Sequence, residues 1–221
     1  MQTSDVIRNR KSVRAYKDQE VADEVIQELL ELASCSPSGA NTQPWQVAVL
    51  RGETKDRLAQ KMIEAFESGE KMEKDYQYYP VEWVEPFNQR RFDCGNQLYQ
   101  ALDIERHERD RRRSQWALNY RAFNAPVMLL FFLDSHLEAG SYIDYGMFLQ
   151  TLMLAAMEMG LATCPEAALA EYPDLVRNEL NIQGEPKLLC GMALGYEDAS
   201  HPVNQYRTPR ADVNSFTSWF D

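Results

Sequence analysis

The sequence predicts an α+β fold with a central sheet flanked by helices. Three observations carry that reading. Apolar runs of strand length stand at "WQVAVL" (45–50), "APVMLLFFLD" (125–134) and "PKLLCGMALGY" (186–196). Segments between them repeat apolar residues at helical spacing. One long segment, "YIDYGMFLQTLMLAAMEMGLA" (142–162), is apolar nearly all round and needs a neighbour on every side. With 221 residues, 44% of them hydrophobic, the chain can bury one substantial core, so residues 1–221 are read as a single domain.

The elements follow in order. A first helix is expected with Ser4 as its cap and Val6 and Ile7 facing inward. A second runs from about Asp23 to Ala33, with Val25, Ile26, Leu29, Leu30 and Leu32 on its apolar face. It ends in "SCSPSGANTQPW", where Pro37, Gly39 and Pro44 break regular structure. "WQVAVL" alternates as a strand should, and "KDRLAQKMIEAF" is helical again. Residues 70–120 form an excursion. "DYQYYPVEWVEPFNQRRF" is aromatic and weakly periodic, "LDIERHERDRRRSQWALNY" reads as one highly charged helix, and neither has the aliphatic residues for its own core. After strand 125–134 and helix 142–162, "YPDLVRNELNI" opens a helix with Pro173 at its first position. Strand 186–196 closes the sheet. The tail after Asp198 has no period and reads as an arm that needs a surface to lie on.

Composition excludes several functions. A net charge of -11 leaves no broad basic face for nucleic acid. The longest apolar run, 125–133, is far too short to span a bilayer. The start of the chain does not resemble a signal peptide, and Cys35, Cys94, Cys164 and Cys190 lack disulfide or metal spacing. They read as reduced thiols in a cytoplasmic protein. The three histidines are scattered, so no metal site is expected.

Against that acidic background, "RNRKSVRAY" (8–16) gathers Arg8, Arg10, Lys11 and Arg14 around Ser12. The bland reading is a solvated charged face. The sharper one is that an extended segment puts Arg10, Ser12 and Arg14 on one side. Guanidinium forks with a hydroxyl suit a phosphate monoester. Neither a P-loop nor a Rossmann glycine motif is present. "SPSGANTQPW" (36–45) is a long turn rich in amides and hydroxyls, with a backbone freed by Gly39, suited to the polar edge of a planar heterocycle. "TCPEAAL" (163–169) bends at Pro165, and Glu166 in it has solvated surface as its bland reading. "YRTPR" (206–210) brings two more arginines in the tail.

These four motifs, in this order over roughly residues 6–211, resemble the FMN-dependent nitroreductase family. The "YYPVEW" excursion and "MALGYED" further resemble its nitrobenzoate reductase-like branch. The resemblance implies a mostly antiparallel sheet in an intertwined homodimer with C-terminal arm exchange. It implies that Arg10, Lys11, Ser12 and Arg14 hold the FMN phosphate, with Arg207 reaching the same group. It places Pro37, Ser38, Gly39 and Asn41 against the flavin from the partner subunit, and Pro165, Glu166 and Ala167 along the ring system through a backbone N–H. It implies NAD(P)H as co-substrate, nitroaromatics or quinones as acceptors in a ping-pong cycle, and no catalytic side chain. A reductive dehalogenase or flavin-cleaving enzyme is the alternative on the same fold; Glu73, Lys74 and Tyr76 are the residues a dehalogenase lid would draw on. A non-enzymatic flavin-binding module is the third reading.

Overall fold

Strand β2 (Val127–Leu133) is buried along its whole length, because it lies at the centre of a sheet covered on both faces. The computed structural model describes residues 2–220. Its four strands are ordered β1-β2-β4-β3, with β1 at Gln46–Leu50, β3 at Ala162–Glu166 and β4 at Lys187–Gly195. Every neighbouring pair is antiparallel.

Side-chain alternation along β2 sorts two cores. Met128, Leu130 and Phe132 face helices α3 (Gly52–Ser68) and α7 (Pro173–Leu180), where Leu58, Met62 and Val176 are buried. Val127, Leu129, Phe131 and Leu133 face α2 (Asp23–Ser34) and α6 (Ala139–Glu158), where Ile26, Leu29, Phe148 and Leu152 are buried. Each fully buried side chain of this size contributes about 1.5–3 kcal/mol. The continuous apolar runs of β2 and β4 follow from this double cover, whereas edge strand β1 alternates more weakly.

Several expectations are corrected. The first helix, α1, spans Thr3–Asn9 with Gln2 as its cap rather than Ser4, and Ile7 is 52% exposed rather than inward. The apolar α6 is covered on one side only, and Ile143 is 70% exposed. The segment after α6 is strand β3, not simply a bend. Pro165 is tolerated there because an edge strand leaves an N–H position unpaired. The excursion contains α4 (Phe87–Ala101), which weak periodicity hid, while the charged helix is confined to α5 (Arg109–Ala117). Asp103 in a left-handed conformation (φ 51°) ends the run between them. Neither α4 nor α5 has a buried residue.

The excursion is pinned at its root. Asp75 accepts a two-pronged hydrogen bond from Arg177 of α7 at 2.7 and 3.0 Å, and a third from the Leu188 N–H of β4 at 2.7 Å. Lys74 pairs with Glu171 at 3.1 Å, and the Tyr76 hydroxyl donates to the Leu189 carbonyl at 2.5 Å. Among the described residues no helix is long and apolar enough to cross a membrane.

Candidate functional site

The basic segment is extended, and β3 holds it so. The Val13 N–H donates to the Thr163 carbonyl at 3.0 Å, Ser12 bridges Thr163, and Tyr16 bridges Glu197. Val13 is buried, so the alternation turns Ser12 and Arg14 away from the core, as the two-residue spacing predicts. The tail locks the other side. Buried Asn204 accepts from the Arg14 N–H at 2.9 Å and donates to the carbonyls of Ala15 and Asp198, each at 2.8 Å.

This arrangement gathers Arg10, Arg14, Arg207 and Arg210 into one region, and none of the four makes an ion pair with a carboxylate among the described residues. Guanidiniums gathered this closely repel one another, and an external anion would relieve that repulsion. Burial first, then the charges of Arg210 and Arg207, pull the Arg10 guanidinium below its ordinary value. Burial also works against the charge on Arg14, but Cys164, Tyr206, Cys94 and Glu166 more than offset it and hold that guanidinium above its ordinary value. Arg14 sits 3.4 Å from the Tyr206 hydroxyl and 5.8 Å above the Phe123 ring.

Two residues of the cluster are already engaged. Lys11 lies 2.7 Å from Glu197, a contact of charges rather than an aligned hydrogen bond, and also donates to the Asn204 carbonyl. Its charge is therefore met within the protein. Arg207 donates to the carbonyls of Arg8 and Asn9, capping the C-terminal end of α1. The Arg10 side chain makes no hydrogen bond or ion pair among the described residues, and the Arg14 guanidinium makes only two long bonds, to the Ser12 carbonyl at 3.5 Å and the Tyr206 hydroxyl at 3.4 Å.

Loop 36–45 is anchored separately, on α6. The Ser36 hydroxyl donates to Thr151 at 2.9 Å, and the Gly39 N–H donates to the buried carboxylate of Asp144 at 3.1 Å. The Ser38 hydroxyl accepts from the Gln43 N–H at 2.9 Å. The left-handed residues are Ala40, Asn41 and Gln43 (φ 50°, 56° and 48°), not Gly39 as its freedom suggested. Asn41 tolerates that conformation, while Ala40 is held in it by the flanking bonds. No hydrogen bond or ion pair among the described residues joins Pro37, Ser38, Gly39 or Asn41 to the 10–14 segment.

Pro165 is exposed and Glu166 buried, so β3 turns the proline outward beside the cluster. Glu166 is 3% exposed, and among the described residues neither carboxylate oxygen makes a hydrogen bond of good geometry, the Ala193 amide being its nearest donor. Burial pushes its carboxyl well above the usual range, opposed by the Arg14 charge and the Ala193 amide. Its surface reading is thus corrected.

Residues 7–196 match the nitroreductase family. The chain belongs to that family. Over 216 residues this nitroreductase is 37% identical to the chloronitrobenzene nitroreductase of Comamonas testosteroni, a match covering 97% of this chain and 95% of that one. It is 34% identical over 212 residues to the 4-nitrobenzoate reductase of Pseudomonas putida, covering 96% and 92%. Its structure is similar, with a TM-score of 0.94 and 36% identity, to the FMN-dependent nitroreductase NfnB from Mycobacterium smegmatis in complex with NADPH, covering 100% and 99% of the two chains.

The nitroreductase cluster fits an FMN phosphate by its donor set. It offers the Arg10 and Arg14 guanidiniums, neither of them in an ion pair among the described residues, with a hydroxyl and an extended backbone, while the nearby carboxylate of Glu197 is paired with Lys11. The sequence marks both arginines of "RTPR", but only Arg207 is assigned a role there. Arg210 adds a fourth guanidinium. Two further residues escaped the sequence reading. Asn204 and Asp144 act through buried hydrogen bonds to backbone, which no local pattern announces. Lys74 and Tyr76, which a dehalogenase lid would draw on, are engaged in holding the excursion root.

Proposed function

We propose that this nitroreductase is an FMN-dependent NAD(P)H oxidoreductase that reduces nitroaromatics or quinones, and that it works as a homodimer in the cytoplasm. The observation that carries this is the group of four arginines without a carboxylate partner in a chain of net charge -11. Bound FMN supplies hydride transfer between the nicotinamide and the acceptor; the protein binds and orients. Arg10, Ser12 and Arg14 hold the phosphate. Lys11 and Arg207 keep that segment in shape through Glu197 and the end of α1. The outward face of Pro165 and the backbone at Glu166 and Ala167 line the cofactor. No side chain acts as nucleophile or general base.

The single domain spans residues 1–221, with the excursion as its appendage. Its aromatic ladder supports an acceptor site for planar substrates. Tyr78 and Tyr79 meet edge to face at 4.6 Å, Tyr79 and Trp83 lie 5.6 Å apart, and Arg91 covers Trp83 at 4.9 Å.

Exposed apolar residues support the dimer. Ile143 on α6 and Phe216, Trp219 and Phe220 in the tail are 70%, 70%, 82% and 92% exposed. We infer that a second copy covers α6, and that the end of each tail, from about 211, lies on its partner in an exchange of arms, while residues 201–207 stay on their own chain. Loop 37–41 then meets the cofactor bound by the other chain.

The test is direct. The purified protein, loaded with FMN, should oxidise NADPH or NADH only when a nitroaromatic or quinone is present, with parallel initial-rate lines. FMN release on denaturation without any such turnover would favour a flavin-binding module. Turnover of a halogenated phenol alone would favour the dehalogenase.

A further inference from the structure

Tyr206 stands beside the Arg14 guanidinium with half of its hydrogen bonding unmet. Its hydroxyl accepts a long bond from Arg14 Nη1 at 3.4 Å. The hydrogen of that hydroxyl meets no acceptor among the described residues. A phenol both donates and accepts, so one role here is open.

Its position is not that of a loose tail. Two residues before it, buried Asn204 bonds the Arg14 N–H at 2.9 Å and the Ala15 carbonyl at 2.8 Å. One residue after it, Arg207 donates to the carbonyls of Arg8 and Asn9. The tail is thus tied to both ends of the basic segment, and Tyr206 is fixed between the ties. Arg14 is confined as well by the buried Phe123 ring, 5.8 Å away. Phe123 lies in a run of three left-handed residues, Ala122, Phe123 and Asn124 (φ 47°, 51° and 57°), a backbone that persists only where its surroundings impose it.

A phenol suits this place better than a further cation. It adds a donor without adding to the repulsion among Arg10, Arg207 and Arg210. Accepting from Arg14 polarises its own O–H and strengthens it as a donor. Burial raises the phenol above its ordinary value, against the opposing charge of Arg14, so it keeps its proton at neutral pH. The nearby acid, Glu197, is taken by Lys11. We propose that the Tyr206 hydroxyl is a further ligand of the FMN phosphate, accepting from Arg14 and donating to a phosphate oxygen. The tail then reads the phosphate directly, besides propping the segment that holds it. The inference rests on the phosphate assignment above.

The experiment measures Kd for FMN and for riboflavin, which lacks only the phosphate, by quenching of flavin fluorescence. It uses wild type, Tyr206→Phe, Arg14→Ala and the double variant. Phenylalanine keeps the ring and removes only the hydroxyl. A hydrogen bond to a charged group contributes about tenfold or more in affinity, so Tyr206→Phe should weaken FMN binding by at least about fivefold and leave riboflavin within about twofold. If Tyr206 only orients Arg14, its effect vanishes once Arg14 is gone. As a ligand in its own right, it should still cost at least about threefold in FMN affinity in the Arg14→Ala background. The urea midpoint of the Tyr206→Phe apoprotein should match wild type. A loss of FMN affinity below either threshold, or an equal loss for riboflavin, overturns the proposal. If wild type binds riboflavin as tightly as FMN, or binds neither, the phosphate assignment itself falls. If wild type discriminates between them and Tyr206→Phe discriminates equally well, that assignment stands and this inference alone is lost.

Discussion

Replacing Asp75 by Ala should loosen the excursion more than any surface charge would. Asp75 and Arg177 have side chains only 14% and 12% exposed, and their two bonds are 2.7 and 3.0 Å. The carboxylate also accepts the Leu188 N–H, so its loss leaves that buried donor unmet. Breaking a buried pair from one side costs about 3–5 kcal/mol. Asp174, at 2.7 Å from Arg177, and the Pro186 carbonyl, at 2.9 Å, recover part of it. The orphaned N–H adds about 1–3 kcal/mol. Together these give about 3–5 kcal/mol, read from the urea midpoint at unchanged slope. Removing both partners, as in Asp75→Ala with Arg177→Leu, should cost less than Asp75→Ala alone, because no charge is left stranded. Function should follow. Tyr76 is the next residue and packs 5.5 Å from Tyr142, so the KM for an aromatic acceptor should rise while FMN content stays the same. A loss below about 1 kcal/mol for Asp75→Ala, or a double variant as costly as the single, would refute this reasoning.

Three further outcomes are expected. Gly191→Ala should destabilise by about 1–3 kcal/mol in urea, since its Cβ would fall 2.3 Å from Leu169 Cδ1 and 3.0 Å from the Leu129 carbonyl; a neutral effect would show that the short helical turn Ala167–Ala170 yields easily. Trp83→Ala should change the ranking of acceptors by KM with FMN content intact, whereas a change in stability alone would make the aromatic ladder packing only. Co-expressing Arg10→Glu/Arg14→Glu with Ser38→Trp/Asn41→Trp should restore roughly a quarter of wild-type activity, because random pairing makes about half the dimers mixed and each holds one intact site. Mixed dimers without activity would place both motifs in one chain's site.

Much of the fold was legible because burial imposes period. Strands β2 and β4 read as continuous apolar runs since both faces are covered, and α2 and α3 showed helical spacing since one face is. β3 was hidden by its length of five residues and by Pro165. α4 was hidden because no face of it is buried, so nothing selects a repeat. In the site, the basic segment stood out against an acidic chain. The engagement of Lys11 by Glu197 did not, because those residues are far apart in sequence and meet only when the tail folds back. The burial of Glu166 was equally invisible, since a glutamate in a short polar segment is ordinarily solvated.

The central claim is that the cluster at 10–14 recognises the phosphate of FMN, and riboflavin provides the comparison because it lacks only that group. The measurement is the ratio of riboflavin Kd to FMN Kd, in wild type and in Arg14→Ala. One charge-assisted hydrogen bond contributes about 1.5–3 kcal/mol, so Arg14→Ala should weaken FMN binding by roughly 10- to 150-fold and leave riboflavin nearly unchanged. The ratio should therefore collapse by that factor. Equal weakening of both ligands, or a ratio that does not move, would contradict the assignment of this cluster to the phosphate.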